Sequence, residues 1–334
     1  MTARRLLLLS LVIGLLSACG GTTPPPSTTI PAPTIASQPT TQPASTTIPE
    51  HTAAGGPAQG QLESVWTITG DPSAFSTPDG LGLDQHGDLY VADGGNSRIQ
   101  KLDSEGHLLT QWGSSGDKDG QFACVPCGLA VDGRGNVYVT DTGNRRVQKF
   151  DGNGKFLAKW GSLGKGDGQF LGPFGVAADP QGNVYVGDPV LSRVQKFDGN
   201  GKFLAKWGSR GDGDGQFSAD LADIAVDALG NIYVTDRANG VQKFDSDLHF
   251  VAKWSACGDD RVVSSATGVA LDSQGNIYVN DQANGRICKF DANGTFLIAL
   301  GGLSGSVGFI AVDRQGDIYL TEPFDNLVLK LRQQ

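Results

Sequence analysis

From about residue 60 onward, short apolar or β-branched runs alternate with clusters of Gly, Asn and Asp. The unit is clearest between Gly128 and Gly161. Leu129-Ala-Val-Asp132 is apolar and closes on an acid. Val137-Tyr-Val-Thr140 is β-branched and aromatic. Val147-Gln-Lys-Phe150 and Phe156-Leu-Ala-Lys-Trp160 mix apolar and polar positions. Gly-Arg-Gly-Asn, Asp-Thr-Gly-Asn and Asp-Gly-Asn-Gly separate the four runs. Short runs of this composition between turn residues predict antiparallel strands joined by tight turns. None has the length or the 3.6-residue period of a helix. Each unit is therefore a four-stranded meander.

The acid that closes the first run recurs at Asp84, Asp132, Asp179, Asp227, Asp272 and Asp313, at intervals of 41 to 48 residues. All six Tyr of the chain, Tyr90, Tyr138, Tyr185, Tyr233, Tyr278 and Tyr319, occupy one position of the second run. Arg146–Ser162 is identical to Arg193–Ser209, a mark of duplication within the chain. A four-stranded unit repeated at this spacing predicts an all-β, six-bladed propeller over residues 61–334.

The fourth strand settles how the ring closes. The five Trp (Trp66, Trp112, Trp160, Trp207 and Trp254) each end such a strand, but Trp66 precedes the first full repeat. The sixth repeat stops at Gln334 without a fourth strand. The N-terminal segment around Leu62–Trp66 is thus expected to complete the last blade and remove an open edge.

The residues before the ring are of two kinds. Residues 1–18 carry Arg4-Arg5 and an apolar run from Leu6 to Leu16, the pattern of an export signal too short to span a bilayer comfortably. The run ends Leu16-Ser-Ala-Cys19, which resembles a bacterial lipoprotein signal. That resemblance implies lipidation of Cys19 and an envelope protein held to a membrane on its extracytoplasmic side. Residues 19–60 are rich in Pro, Thr and Ser, with Glu50 their one charged residue beside His51. Such a segment buries no core and is expected to be a disordered tether.

Charge narrows the partners. The chain has 26 Lys+Arg and 35 Asp+Glu; setting aside Arg4, Arg5 and Glu50 leaves the ring with 24 against 34. An acidic domain argues against nucleic acid, whose binding requires phosphate neutralisation.

The repeat resembles the NHL repeat across the whole ring. The resemblance is carried by Gly-x-Ala-Val-Asp, by Gly-Asn-x-Tyr-Val-x-Asp, by Asn-x-Arg-Val-Gln-Lys-Phe and by the linking Gly120-Gln-Phe122, Gly168-Gln-Phe170 and Gly215-Gln-Phe217. It implies a six-bladed propeller and no single activity, since such propellers include sensors, scaffolds and a zinc-dependent lyase.

Candidate chemistry is sparse. Second-to-third-strand loops and the loops between blades share one face of the ring, here called the loop face. They are longer than the turns of the opposite, turn face and so form the expected binding face. Arg98, Arg146, Arg193 and Arg286 lie there. The architectural alternative is that each pairs with Asp93, Asp141, Asp188 or Asp281. His86, His107 and His249 fall in turns of the other face, which disfavours a three-His zinc site. Asp212-Gly-Asp-Gly215 resembles a calcium loop but lacks a full ligand set. In an exported protein the ring cysteines are expected to pair locally, Cys124 with Cys127 and Cys257 with Cys288. No nucleophile–base pair stands out. The leading expectation is a non-catalytic binding or scaffold propeller without a cofactor, for a protein, peptide or glycan. The alternative is a metal-dependent lyase or lactone hydrolase at the channel mouth, for which a divalent ion on the axis stays open.

Overall fold

The computed structural model describes residues 59–68, 74–123, 126–255, 257, 265–303 and 307–334. The export signal, Cys19 and nearly all of the expected tether lie outside the described residues.

Six sheets form the ring, each meandering outward from the axis. Blade one runs Pro78–Leu83, Leu89–Asp93, Arg98–Leu102 and Leu108–Trp112. Burial explains why the strands differ in sequence. The second strand is covered on both faces by neighbouring blades, so all five residues are buried in every blade and its pattern is continuous. The fourth strand sits at the rim and alternates half-buried with exposed, as Phe156–Trp160 and Phe203–Trp207 show.

The closure expected from Trp66 is present. Leu62–Ile68 pairs antiparallel with Leu327–Gln333 as the outer strand of blade six, with Trp66 opposite Lys330. The Trp66 indole N–H also donates to Ser104 O of blade one at 3.0 Å. Gln59–Gly60, which the sequence assigns to the tether, adds parallel to the outer strand Phe296–Leu300 of blade five.

The repeated residues build the frame. Each Tyr hydroxyl donates to the acid that closes its own first strand, at 3.0 to 3.2 Å. That is why all six Tyr share one position. Trp112, Trp160 and Trp254 pack on glycines of the next blade, where a Cβ on Gly154, Gly201 or Gly294 would come within 2.5 to 3.1 Å of the indole. The Trp series is interblade packing.

Candidate functional site on the loop face

The motif arginines bind the frame. Arg146 Nε donates to Asp141 at 2.7 Å, and its two Nη atoms donate to the carbonyls of Asp117, Lys118 and Gln121 in the preceding interblade loop. Arg98 and Arg286 make the same Nε contact to Asp93 and Asp281, at 2.7 and 2.8 Å. Arg193 departs from the expected pair. It grips the carbonyls of Lys165, Gly166 and Gln169, while Asp188 accepts the N–H groups of Leu171 and Leu191. Arg146, Arg193 and Arg286 are buried. These side chains fasten the loop that enters their own blade.

The third-strand Gln completes this clamp. Gln148 accepts from Gly120 N at 2.9 Å and donates to Gln121 O at 2.7 Å; Gln195 and Gln242 repeat the geometry. Blade five has Cys288 at this position, disulfide-bonded to Cys257 of the preceding loop. The expected Cys257–Cys288 pair is formed, and the covalent bond replaces the glutamine clamp. Cys124 lies outside the described residues, and with it the expected Cys124–Cys127 pair.

With the repeated polar groups engaged, the residues that vary define the site. Five positions before each closing acid, at the loop-face end of the inner strand, stand Asp79, Cys127, Phe174, Ala222, Thr267 and Gly308, six different residues. The next position is Gly80, Gly128, Gly175, Asp223, Gly268 and Phe309. Four glycines occur here because neighbouring inner strands nearly touch: a Cβ on Gly80 would lie 2.3 Å from Cys127 O, and one on Gly128 2.2 Å from Phe174 O. Asp223 and Phe309 break this rule. The strands are irregular at the same level. Register shifts separate Pro78 from Leu81, Pro126 from Leu129, Leu221 from Ile224 and Ala266 from Val269. In blades three and six the inner strand begins only at Val176 and Ile310. Bulges of this kind re-aim side chains.

The varied residues meet around the axis. Phe174 of blade three and Phe309 of blade six, on opposite sides of the ring, have ring centroids 5.7 Å apart. Asp79 of blade one lies beside Cys127 and in the field of Arg237, on the second-to-third-strand loop of the opposite blade four. Burial pushes the Asp79 carboxyl up to about 7 against the pull of Arg237. Burial also pushes Asp223 up to about 7, although it accepts Val269 N at 3.1 Å and Ile224 N at 2.8 Å; the charge of Asp79 adds to the rise. Arg237 opens this loop directly after Asp236; repeat four is one residue shorter there, and Gly240 takes the position of the motif arginine. In blade six Leu327 replaces that arginine, and the buried Glu322 replaces its acid. Burial raises Glu322 to about 7, with Asp325 adding. Phe324 and Val190, 50% and 42% exposed, stand on loops of opposite blades above this level.

Of these axial residues only Cys127 is singled out from the sequence, and as a disulfide candidate. The signal was available: once six repeats are superposed on their closing acids, the position of Asp79 holds six different residues, and Asp223 and Phe309 interrupt a series of glycines. The opposite mouth, on the turn face, is a cavity of about 510 Å³ lined by Leu83, Val131, Val226, Leu271 and Val312 above the closing acids, with Arg314 and Gln315 at its edge. His86 lies at that mouth, while His107 and His249 bind Asp103 and Asp245 of their own turns.

Comparison with known proteins agrees with this architecture. The NHL repeat family model matches residues 75–102 and 124–150. No curated protein matches the sequence. Among solved structures, a gluconolactonase from Xanthomonas campestris is similar, with a TM-score of 0.60, 16% identity and coverage of 87% of this chain and 97% of that one. Virginiamycin B lyase from Staphylococcus aureus gives 0.58 at 11% identity, covering 82% and 99%. The WD40 propeller of Doa1 gives 0.55 at 13%, covering 77% and 79%. Identities this low speak for the fold alone. The chain is a six-bladed β-propeller that carries NHL repeats.

Proposed function

We propose that this protein is a non-catalytic binding propeller that holds a protein, peptide or glycan on its loop face, around the axial mouth. One observation carries the reading. Residues that repeat in every blade are spent on the frame, whereas the two inner-strand positions that differ between blades converge on the axis at the loop face. Residues that differ from blade to blade at one place are what a specific ligand requires of a repetitive scaffold. Phe324 and Val190 extend the spot outward with exposed apolar surface. The Arg4-Arg5 start, the apolar run and Leu16-Ser-Ala-Cys19 support placement in a bacterial envelope, with Cys19 lipidated and residues 19–60 as tether.

The second reading, a metal-dependent lyase or lactone hydrolase, draws on Asp79 and Asp223 near the axis. Their surroundings do not suit a divalent ion. Both Asp223 oxygens accept backbone N–H groups, and Asp79 is hydrogen-bonded to the Cys127 side chain in the field of the Arg237 charge. The two readings part in a single experiment. The detergent-solubilised chain is screened on peptide and glycan arrays, its metal content is measured after dialysis without chelator, and lactone and lyase substrates are assayed alongside. Array ligands lost on Phe324→Ala support the binding reading. One equivalent of bound metal with substrate turnover overturns it.

A further inference from the structure

Arg237 stands apart from the other loop-face arginines. Among the described residues no side-chain hydrogen bond and no ion pair within 4 Å engages its guanidinium. It is half-buried, so its five donors are partly stripped of water, and only the fields of Asp220 and Asp79 compensate its charge. Across the mouth, Asp79 is hydrogen-bonded to the Cys127 side chain but has no direct cationic partner among the described residues. On the other diameter of the ring, blades three and six bring the rings of Phe174 and Phe309 together.

We propose that the mouth takes an apolar zwitterion, a short apolar peptide or a free apolar amino acid. The carboxylate lies on Arg237, the ammonium on Asp79 and the side chain on the Phe174–Phe309 pair, with Phe324 and Val190 at the rim. The inference rests on the loop-face binding reading and names its ligand class. Guanidinium forks match carboxylates in two-point geometry, and a half-desolvated charge gains more from a fixed counterion than an exposed one does. A ligand with one charge leaves either Arg237 or Asp79 uncompensated beneath it, which selects the doubly charged form.

The test is calorimetric titration of the full chain with L-leucyl-L-phenylalanine, its N-acetyl form, its C-terminal amide and free L-phenylalanine. The expected result is saturable binding of the free dipeptide, weakened about tenfold or more by either cap. Arg237→Gln should weaken the free dipeptide similarly yet leave the amide unchanged, and Arg237→Lys should recover part of the loss. Tighter binding of free phenylalanine than of the dipeptide would assign the site to amino acids rather than peptide ends. Equal binding of free and capped forms overturns the zwitterion while leaving a loop-face ligand in place. No saturable binding of either zwitterion also overturns it, and the capped-probe comparison on the unmodified chain decides even where a variant fails to fold.

Discussion

The ring of Phe174 lies 5.7 Å from that of Phe309, although the two belong to blades three and six, on opposite sides of the propeller. A contact across the axis means that side chains fill the loop-face end of the channel. Phe309 is buried and packs with Leu81, Leu89 and Val91 of blade one. Phe309→Ala is therefore expected to lower stability by about 3–4 kcal/mol, and Phe174→Ala, half-buried, by less. A double-mutant cycle in denaturant should give a coupling of about 0.5–1.5 kcal/mol. Strict additivity would mean that the rings do not support each other.

Ring closure makes the second prediction. Leu62–Ile68 supplies the outer strand of blade six, and Trp66 reaches across to Ser104 of blade one. Deleting residues 61–68 exposes the edge of Leu327–Gln333 and strips cover from Tyr319, which meets Trp66 edge-on. The truncated chain should unfold or aggregate in thermal melts and size-exclusion chromatography. A monomer with an unchanged Tm would contradict closure by this strand.

The disulfide yields the third. Cys257 and Cys288, 31 residues apart, hold the loop entering blade five where blades two to four use Gln. Cross-linking a loop of that length contributes about 3–4 kcal/mol by chain entropy. Cys257→Ala with Cys288→Gln should lose part of this but less than Cys257→Ala with Cys288→Ala, because the glutamine can resume the clamp. Equal melting of the two double variants would show that the positions are not equivalent.

Much of this frame is legible in the sequence because repetition amplifies weak signals. One Tyr after a Gly-Asn pair says little, yet six at one position fix the blade count, and a displaced Trp66 fixes the closure. Arg146 could be read either as a binding residue or as the partner of Asp141; the additional grip on Asp117, Lys118 and Gln121 depends on the path of the loop and is invisible in one dimension. The axial site was hidden for a further reason. Asp79, Phe174, Arg237 and Phe309 come from four blades, up to about 230 residues apart in the chain, and meet through ring symmetry rather than sequence proximity.

Acid should stabilise the protein before it destabilises it. Asp79, Asp223 and Glu322 are pushed up to about 7 in the folded chain, from unfolded values of 3.8, 3.8 and 4.5. Between roughly pH 4 and pH 7 the folded state keeps protons that the unfolded chain has released, so this stabilisation is present at low pH and disappears as pH rises through 7. Asp317, held below its ordinary value by Arg332 and Lys330, contributes the opposite way and is lost only below about pH 4. Tm should rise by about 2–4 °C from pH 8 to pH 5.5 and fall below pH 4. Glu322→Gln should raise Tm at pH 8 and flatten the profile. A Tm that climbs steadily from pH 5.5 to pH 8 would contradict these assignments.

The most direct test of the account compares the two mouths of the channel. An array ligand is titrated against the wild-type chain, against the loop-face variant Arg237→Gln and against the turn-face variant Arg314→Ala, and is recovered afterwards for mass spectrometry. A non-catalytic loop-face site predicts affinity reduced about tenfold or more by Arg237→Gln, unaltered by Arg314→Ala, and a ligand returned chemically intact. Loss confined to the turn-face variant, or a ligand returned cleaved, would contradict it.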